Sequence, residues 1–267
     1  MKLGIRTVLI VLAGTAAALS ATSLIPFSEL PVSHFWRVIL ARVFTTLLSF
    51  AAMRTWFPES IKRVRIRVNP KRALVGLAVI AYLSLPSILH SRVYLFSAAH
   101  IVEGLVCALF IGIDEEFFSR GFIFAALERH GLIIAAVFSS LHFGFFHLGN
   151  TIWGGQSISY TLAQVLSASA FGFLCVGLMI YTGSIWFSVV LHGLSDTAMQ
   201  FESVAQYTKV VAGHEDWKGT IGYTVIYVVI GWVLIQGDKT QKHPRVLEWA
   251  KKLSLVETEG TNPVQDQ

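Results

Sequence analysis

Asp114-Glu115-Glu116-Phe117-Phe118-Ser119-Arg120-Gly121 sets three carboxylates and a guanidinium inside an otherwise apolar stretch. Leu105, Val106, Leu109, Phe110 and Ile111 precede it, and Phe122, Ile123, Phe124 and Leu127 follow. A charged side chain near a bilayer centre costs about 2.5–3.5 kcal/mol on insertion scales, so a cluster of four needs a reason to persist. On an α-helix Glu116 and Arg120 lie four apart and can pair, whereas Glu115 points about 100° round from Glu116. One arginine fully engages one of the two carboxylates, which leaves the other free for chemistry.

The rest of the chain gives this cluster its setting. Of 267 residues, 54% are hydrophobic and 14% charged, and the mean hydropathy is +0.62. Such a composition excludes an ordinary soluble domain and reads as an all-α, polytopic integral membrane protein. The net charge of +5 does not point to nucleic acid, because the basic residues sit beside apolar segments, as in cytoplasmic loops. Cys107 and Cys175 both fall within apolar runs and do not suggest a disulfide framework. Lys2 and Arg6 followed by an apolar run resemble a signal peptide, but the run reaches Ile25, long enough for a retained membrane helix.

Counting apolar runs against the roughly 20 residues needed to cross a bilayer gives about eight spans. They are expected at Val8 to Ile25, Phe35 to Met53, Ala73 to Leu89, Ala98 to Leu127, Leu132 to Leu148, Leu162 to Tyr181, from Ser184 to Met199, and Ile221 to Ile235. Arg37 and Arg42 make the second the least certain, Pro86 predicts a kink in the third, and Thr182-Gly183-Ser184 turns the sixth into the seventh. Lys62, Arg63, Arg65, Arg67, Lys71 and Arg72 mark a cytoplasmic loop, and a basic tail with Lys239, Lys242, Arg245, Lys251 and Lys252 falls on the same side in this count. Both termini are therefore expected in the cytoplasm, with the plasma membrane the expected location. Val246, Trp249, Ala250, Leu253 and Val256 recur at helical spacing and suit either an amphipathic surface helix or a disordered tail. Three regions result: 1–97 with the first helices and the basic loop, 98–200 with the polar-bearing helices, and 201–267 with the last helix and tail.

Two further spans carry ionisable groups. Phe138 to His142 and Phe143 to His147 are overlapping Phe-x-x-x-His matches whose histidines point roughly 140° apart, so only one can face the acidic cluster. His147 is favoured, because Gly144 beneath it leaves room for a close helix contact or a substrate. His192 and Asp196 lie one turn apart on one face, suited to an oriented base, a metal ligand with its carboxylate support, or a buried polar pair. Asn150 can cap its helix or touch substrate, and His100 and Glu103 can line a water path or make lid contacts. Three spans each presenting polar groups suited to one buried site point to chemistry rather than to packing.

With these residues in place the sequence resembles the CPBP family, the membrane-embedded CAAX proteases and bacteriocin-processing enzymes also called Abi. Glu115, Glu116 and Arg120 match its Glu-Glu-x-x-x-Arg motif, Phe143 and His147 its Phe-x-x-x-His motif, and His192 and Asp196 its His-x-x-x-Asn/Asp motif. The resemblance covers about Ala98 to Met199. It implies intramembrane proteolysis of a prenylated or leader-bearing peptide, with membrane lipid as the other partner and the oligomeric state undetermined. By similarity Glu115 and His147 activate a water, Glu116 and Arg120 hold the site together, and His192 and Asp196 stabilise the oxyanion or complete a coordination shell. Phe143 and Asn150 are the expected substrate contacts. Water can be activated directly or through one divalent metal, and Glu115, His147 and His192 form the one-carboxylate, two-imidazole set a catalytic zinc requires. Asp196 stands where some members have asparagine, and a carboxylate donates to an oxyanion only when protonated. Ser119 stands where an aromatic residue is common, a difference of packing. Two other classes compete: a proton-coupled transporter, which predicts a symmetry of halves not found here, and a non-catalytic immunity or peptide-binding protein.

Overall fold

The computed structural model describes residues 5–24, 29–65, 68–90, 96–152, 154–200 and 216–238. Their regular structure is helical throughout: α1 (Ile5–Leu24), α2 (His34–Trp56), a 3-10 helix (Pro58–Val64), α3 (Pro70–His90), α4 (Ala98–Glu116), a π-helical segment (Phe117–Ile123), α5 (Phe124–Glu128), α6 (Leu132–Phe146), α7 (Gly149–Ile152), α8 (Ile158–Thr182), α9 (Trp186–Gln200) and α10 (Trp217–Gly237). A long helix stands at each place where a span is expected. The proposed tail helix around Val246, the last residues and the loop 201–215 lie outside the described residues.

Four helices are long and apolar enough to span by length and composition, Phe35–Trp56, Leu132–Ile152, Ile158–Thr182 and Trp217–Gly237, and Arg6–Ala17 is a shorter apolar helix. Among the described residues these four coincide with the second, fifth, sixth and eighth of the expected spans. α9 has 15 residues, about 22 Å at 1.5 Å per residue against a hydrocarbon core of about 30 Å. α4 ends in three acids. α2 qualifies in spite of Arg37 and Arg42, and α3 continues through Pro86.

Local signals account for several helix ends. Ser97 and Ser157 precede α4 and α8 and accept the backbone N–H groups of His100 and Tyr160, satisfying donors that the first turn leaves open. Gly183 ends α8 at φ 76°, a left-handed conformation that glycine adopts without strain, and sends the chain straight into α9. The fourth apolar stretch is continuous, as expected, but it is not one α-helix. The N–H of Phe124 donates to the carbonyl of Ser119, a five-residue step, so the turns after Glu116 are wider than α-helical turns. Such insertions concentrate at functional sites.

α8 is the central helix, with every residue from Gly172 to Ile180 buried. Its side chains join two apolar clusters. Val176, Met179 and Ile180 pack with Phe117, Ile123 and Val189, and Leu174 and Leu178 pack with Ile80, Leu191 and Leu234. α8 lies against α6 and α10, while α4 lies against α9 and α2. On the outer helices Leu40, Leu47, Val225, Val229 and Val233 face outward, as lipid-facing residues do.

Small residues set the closest approaches. A Cβ on Gly112 of α4 would stand 2.9 Å from the backbone N of Gly193 and 2.9 Å from the carbonyl O of Val189 on α9. A Cβ on Gly177 of α8 would stand 2.6 Å from the carbonyl O of Gly231 on α10. These seams let backbones meet where side chains would hold them apart. Gly112→Ala is expected to lower stability by about 1–3 kcal/mol through overpacking. Gly222→Ala, where a Cβ meets nothing within 4 Å, is expected to be neutral or stabilising by up to about 1 kcal/mol. Thermal unfolding of the purified protein in detergent distinguishes the two.

Candidate active site

Glu116 and Arg120 face inward from successive turns, and both side chains are 0% exposed. Arg120 Nη1 lies 3.1 Å from Glu116 Oε1, the pairing expected from their spacing. The guanidinium also lies over the Phe143 ring, 4.5 Å from its centre. A Cβ on Gly172 of α8 would come within 3.0 Å of Nη2, so that glycine makes room for the cation. Among the described residues no Arg120 N–H has an aligned hydrogen bond, so the carboxylate of Glu116 and the face of Phe143 are what balance its charge.

Glu116 Oε1 serves a second partner. His192 Nδ1 on α9 lies 2.8 Å from it, and the edge-on rings of Phe143 and Phe171 enclose the imidazole at 5.6 and 5.3 Å. The seam between Gly112 and Gly193 is what brings α9 close enough to α4 for this bond. Nε2 of His192 then faces Glu115 Oε2 and Asp196 Oδ2, each at 3.6 Å. Glu115, Glu116, Arg120, His192 and Asp196 are thus one connected group drawn from α4, the π-helical segment and α9.

Glu115 departs from the sequence reading. It is not left without a cation, because Arg42 of α2 reaches it, with Nη1 3.3 Å from Glu115 Oε1 and 2.9 Å from Asp114 Oδ2. The reading missed Arg42 as a site neighbour. The available signal was the residue itself, an arginine inside an apolar span that needs a carboxylate partner. Exposure separates the two glutamates: the Glu115 side chain is 27% exposed and that of Glu116 is 0% exposed. Of the two, Glu115 is the one open to an incoming molecule.

The two histidines part company as their spacing predicts. His147, at the C-terminal end of α6, places Nδ1 3.0 Å from the carbonyl O of Phe143. A carbonyl only accepts, so Nδ1 carries a proton, and in the neutral ring Nε2 is the nitrogen with the lone pair. The imidazole stands edge-on to Phe143, with ring centres 5.1 Å apart. His142 looks the other way. Its Nε2 lies 2.8 Å from Thr15 Oγ1 of α1, and its ring packs on Phe118 and Phe146.

The remaining expected residues have other employment. Gly144 receives α8, since a Cβ there would stand 2.6 Å from the carbonyl O of Val165, so its open space is a helix contact. Phe143 is buried among Arg120, His147 and His192 and spaces these groups. Asn150 is neither a cap nor an open contact: its amide donates to Gln164 Oε1 at 2.9 Å, and Gln156 donates to the same oxygen at 2.8 Å. Glu103 is exposed, and His100 packs on Phe96. Ser119 is buried, consistent with a packing role.

Among the described residues no group of three or more His, Cys, Asp or Glu side chains is placed to hold a metal ion. Of the expected one-carboxylate, two-imidazole set, Glu115 Oε2 and His192 Nε2 are the two that face each other, 3.6 Å apart.

Residues 96–198 match the family described as type II CAAX prenyl endopeptidase Rce1-like. This agrees with the family that the three motifs resemble and supports a membrane-embedded peptidase. The matched segment runs from just before α4 into α9, so it contains every motif residue and excludes Arg42. No curated protein and no solved structure matches the chain.

Glu116→Ala is expected to cost about 3–5 kcal/mol, because it strands the Arg120 cation in a sealed apolar site. The double replacement Glu116→Leu with Arg120→Met is expected to recover part of that stability, because it removes the stranded cation but leaves His192 Nδ1 without its acceptor. Thermal denaturation in detergent compares the single and double variants.

Proposed function

We propose that this chain is an intramembrane endopeptidase that hydrolyses a peptide bond of a prenylated CAAX-type protein or peptide at the lipid boundary. The observation that carries the reading is the meeting of Glu115 and His192, on helices far apart in sequence, within a segment that matches a CAAX endopeptidase family. The partial exposure of Glu115 beside a sealed Glu116–Arg120 pair supports a reactive carboxylate held by a scaffold. The single-sided engagement of His147 supports a second group able to accept from water.

In this reading a water bound between Glu115 and His147 gives one proton to the Glu115 carboxylate, and His147 Nε2 accepts a hydrogen bond from the other. The water oxygen bonds to the scissile carbonyl carbon as the C=O π pair moves onto oxygen. His192 has Nδ1–H committed to Glu116, so it donates to that oxyanion from Nε2 as the imidazolium, which carries a proton on each ring nitrogen. Asp196 orients His192 through Nε2 and does not itself donate to the oxyanion. When the tetrahedral intermediate collapses, the C–N bond breaks and the proton held by Glu115 passes to the departing amine. The products are a new C-terminal acid and a released peptide amine, and Glu115 returns to its starting form. With the basic loop of Lys62 to Arg72 in the cytoplasm, substrates would approach from the inner leaflet.

Purified protein reconstituted in liposomes, given a prenylated CAAX peptide, tests the reading. Cleavage is expected to fall about 10²- to 10⁴-fold in Glu115→Ala and in His147→Ala, the range for loss of a positioned acid–base group. His142→Ala is expected to remain close to the unaltered protein. Full activity in Glu115→Ala removes the proposed base, and an inactive His142→Ala reassigns the second motif. Binding of the peptide without cleavage favours the non-catalytic peptide-binding alternative.

A further inference from the structure

We infer that Arg42 is a positioning residue for Glu115, supplied by α2 from outside the matched segment and itself anchored by Asp114. The inference rests on the endopeptidase reading above. One guanidinium nitrogen, Nη1, bridges Asp114 Oδ2 at 2.9 Å and Glu115 Oε1 at 3.3 Å. Arg42 thereby occupies one oxygen of Glu115 and leaves the other, Oε2, as the one that faces His192. A carboxylate without such a clamp can exchange its two oxygens and swing away from the imidazole. Asp114 is 7% exposed and reaches Arg42 rather than His192, so its part is to hold the arginine.

The cation is also out of place for any other purpose. α2 is apolar enough to span a membrane, and its neighbouring Leu40 and Leu47 are exposed. A charge at that depth persists when it is paired and used. Asp114 and Glu115 are adjacent in sequence and carry like charges, and Arg42 is the cation that stands between them. The site is therefore incomplete in residues 96–198 alone and closes only when α2 docks against α4.

The test uses the full chain in liposomes with a prenylated CAAX peptide and reads kcat and KM separately. Arg42→Gln is expected to lower kcat about 10- to 100-fold, the scale of a small misplacement of a reacting group, with KM within about threefold. Arg42→Lys, which keeps the charge on a shorter side chain, is expected to fall between this variant and the unaltered protein, and Asp114→Asn is expected to lower kcat by a smaller factor. In a Glu115→Gln background the residual rate is expected to be insensitive to Arg42→Gln, because the arginine acts through Glu115. An unchanged kcat in Arg42→Gln overturns the inference, as does an equal loss in the Glu115→Gln background, which marks a general structural effect. Should Arg42→Gln fail to fold, kcat values at the unaltered level in both Arg42→Lys and Asp114→Asn overturn it. Glu115→Gln at full kcat would instead sink the endopeptidase reading, so the two failures are distinguishable.

Discussion

A single carboxylate oxygen, Glu116 Oε1, lies between the guanidinium of Arg120 and the imidazole of His192. Everything else at the site is placed relative to that atom. Taking such charges out of water costs several kcal/mol per ion after relaxation, and their attraction offsets this only when the geometry is close. The glycine seam between α4 and α9 and the small Gly172 beside Arg120 supply that closeness. Their value lies in the distances they permit, since a glycine inside a helix is itself unfavourable.

The neighbouring glutamates show how one dipeptide serves two purposes. Glu116 turns inward and becomes part of the frame, with its oxygen shared by two partners. Glu115, rotated by about 100°, reaches the side where Arg42, Asp196 and the ring of His192 meet. The wider turn that follows, between Ser119 and Phe124, changes the phase of the helix just beyond the cluster. Before that turn, Phe117 lies in the core cluster, and Phe118 packs against its edge and on His142.

Much of this could be read from the chain, wherever the relation was local. The pairs Glu116/Arg120 and His192/Asp196 are each one turn apart, and the spacing of His142 and His147 sent them to different surroundings, as the contacts with Thr15 and Phe143 show. Arg42 was not legible as a partner of Glu115, because the two are joined only by the packing of α2 on α4 and no spacing rule links them. The π-helical segment was equally hidden: an apolar stretch has no polar face to report a change of phase. Apolar character alone did not register that α9 is short or that α4 ends in acids, and four of the expected spans meet the length and composition of a crossing helix. Asn150 could be placed near the site but not beside Gln164, which approaches from the next long helix.

The two sides of the site are mounted on different seams. Glu115 and His192 are spaced by the contact of Gly112 with α9, whereas His147 rides on α6, whose depth is set by the contact of Gly144 with Val165 on α8. α8 and α9 are joined by the tight turn at Gly183, so both mountings refer back to one rigid corner. The aperture between the carboxylate and the outlying imidazole is accordingly the difference of two independently set spacings, and a methyl group added at either seam alters its width without touching any ionisable side chain.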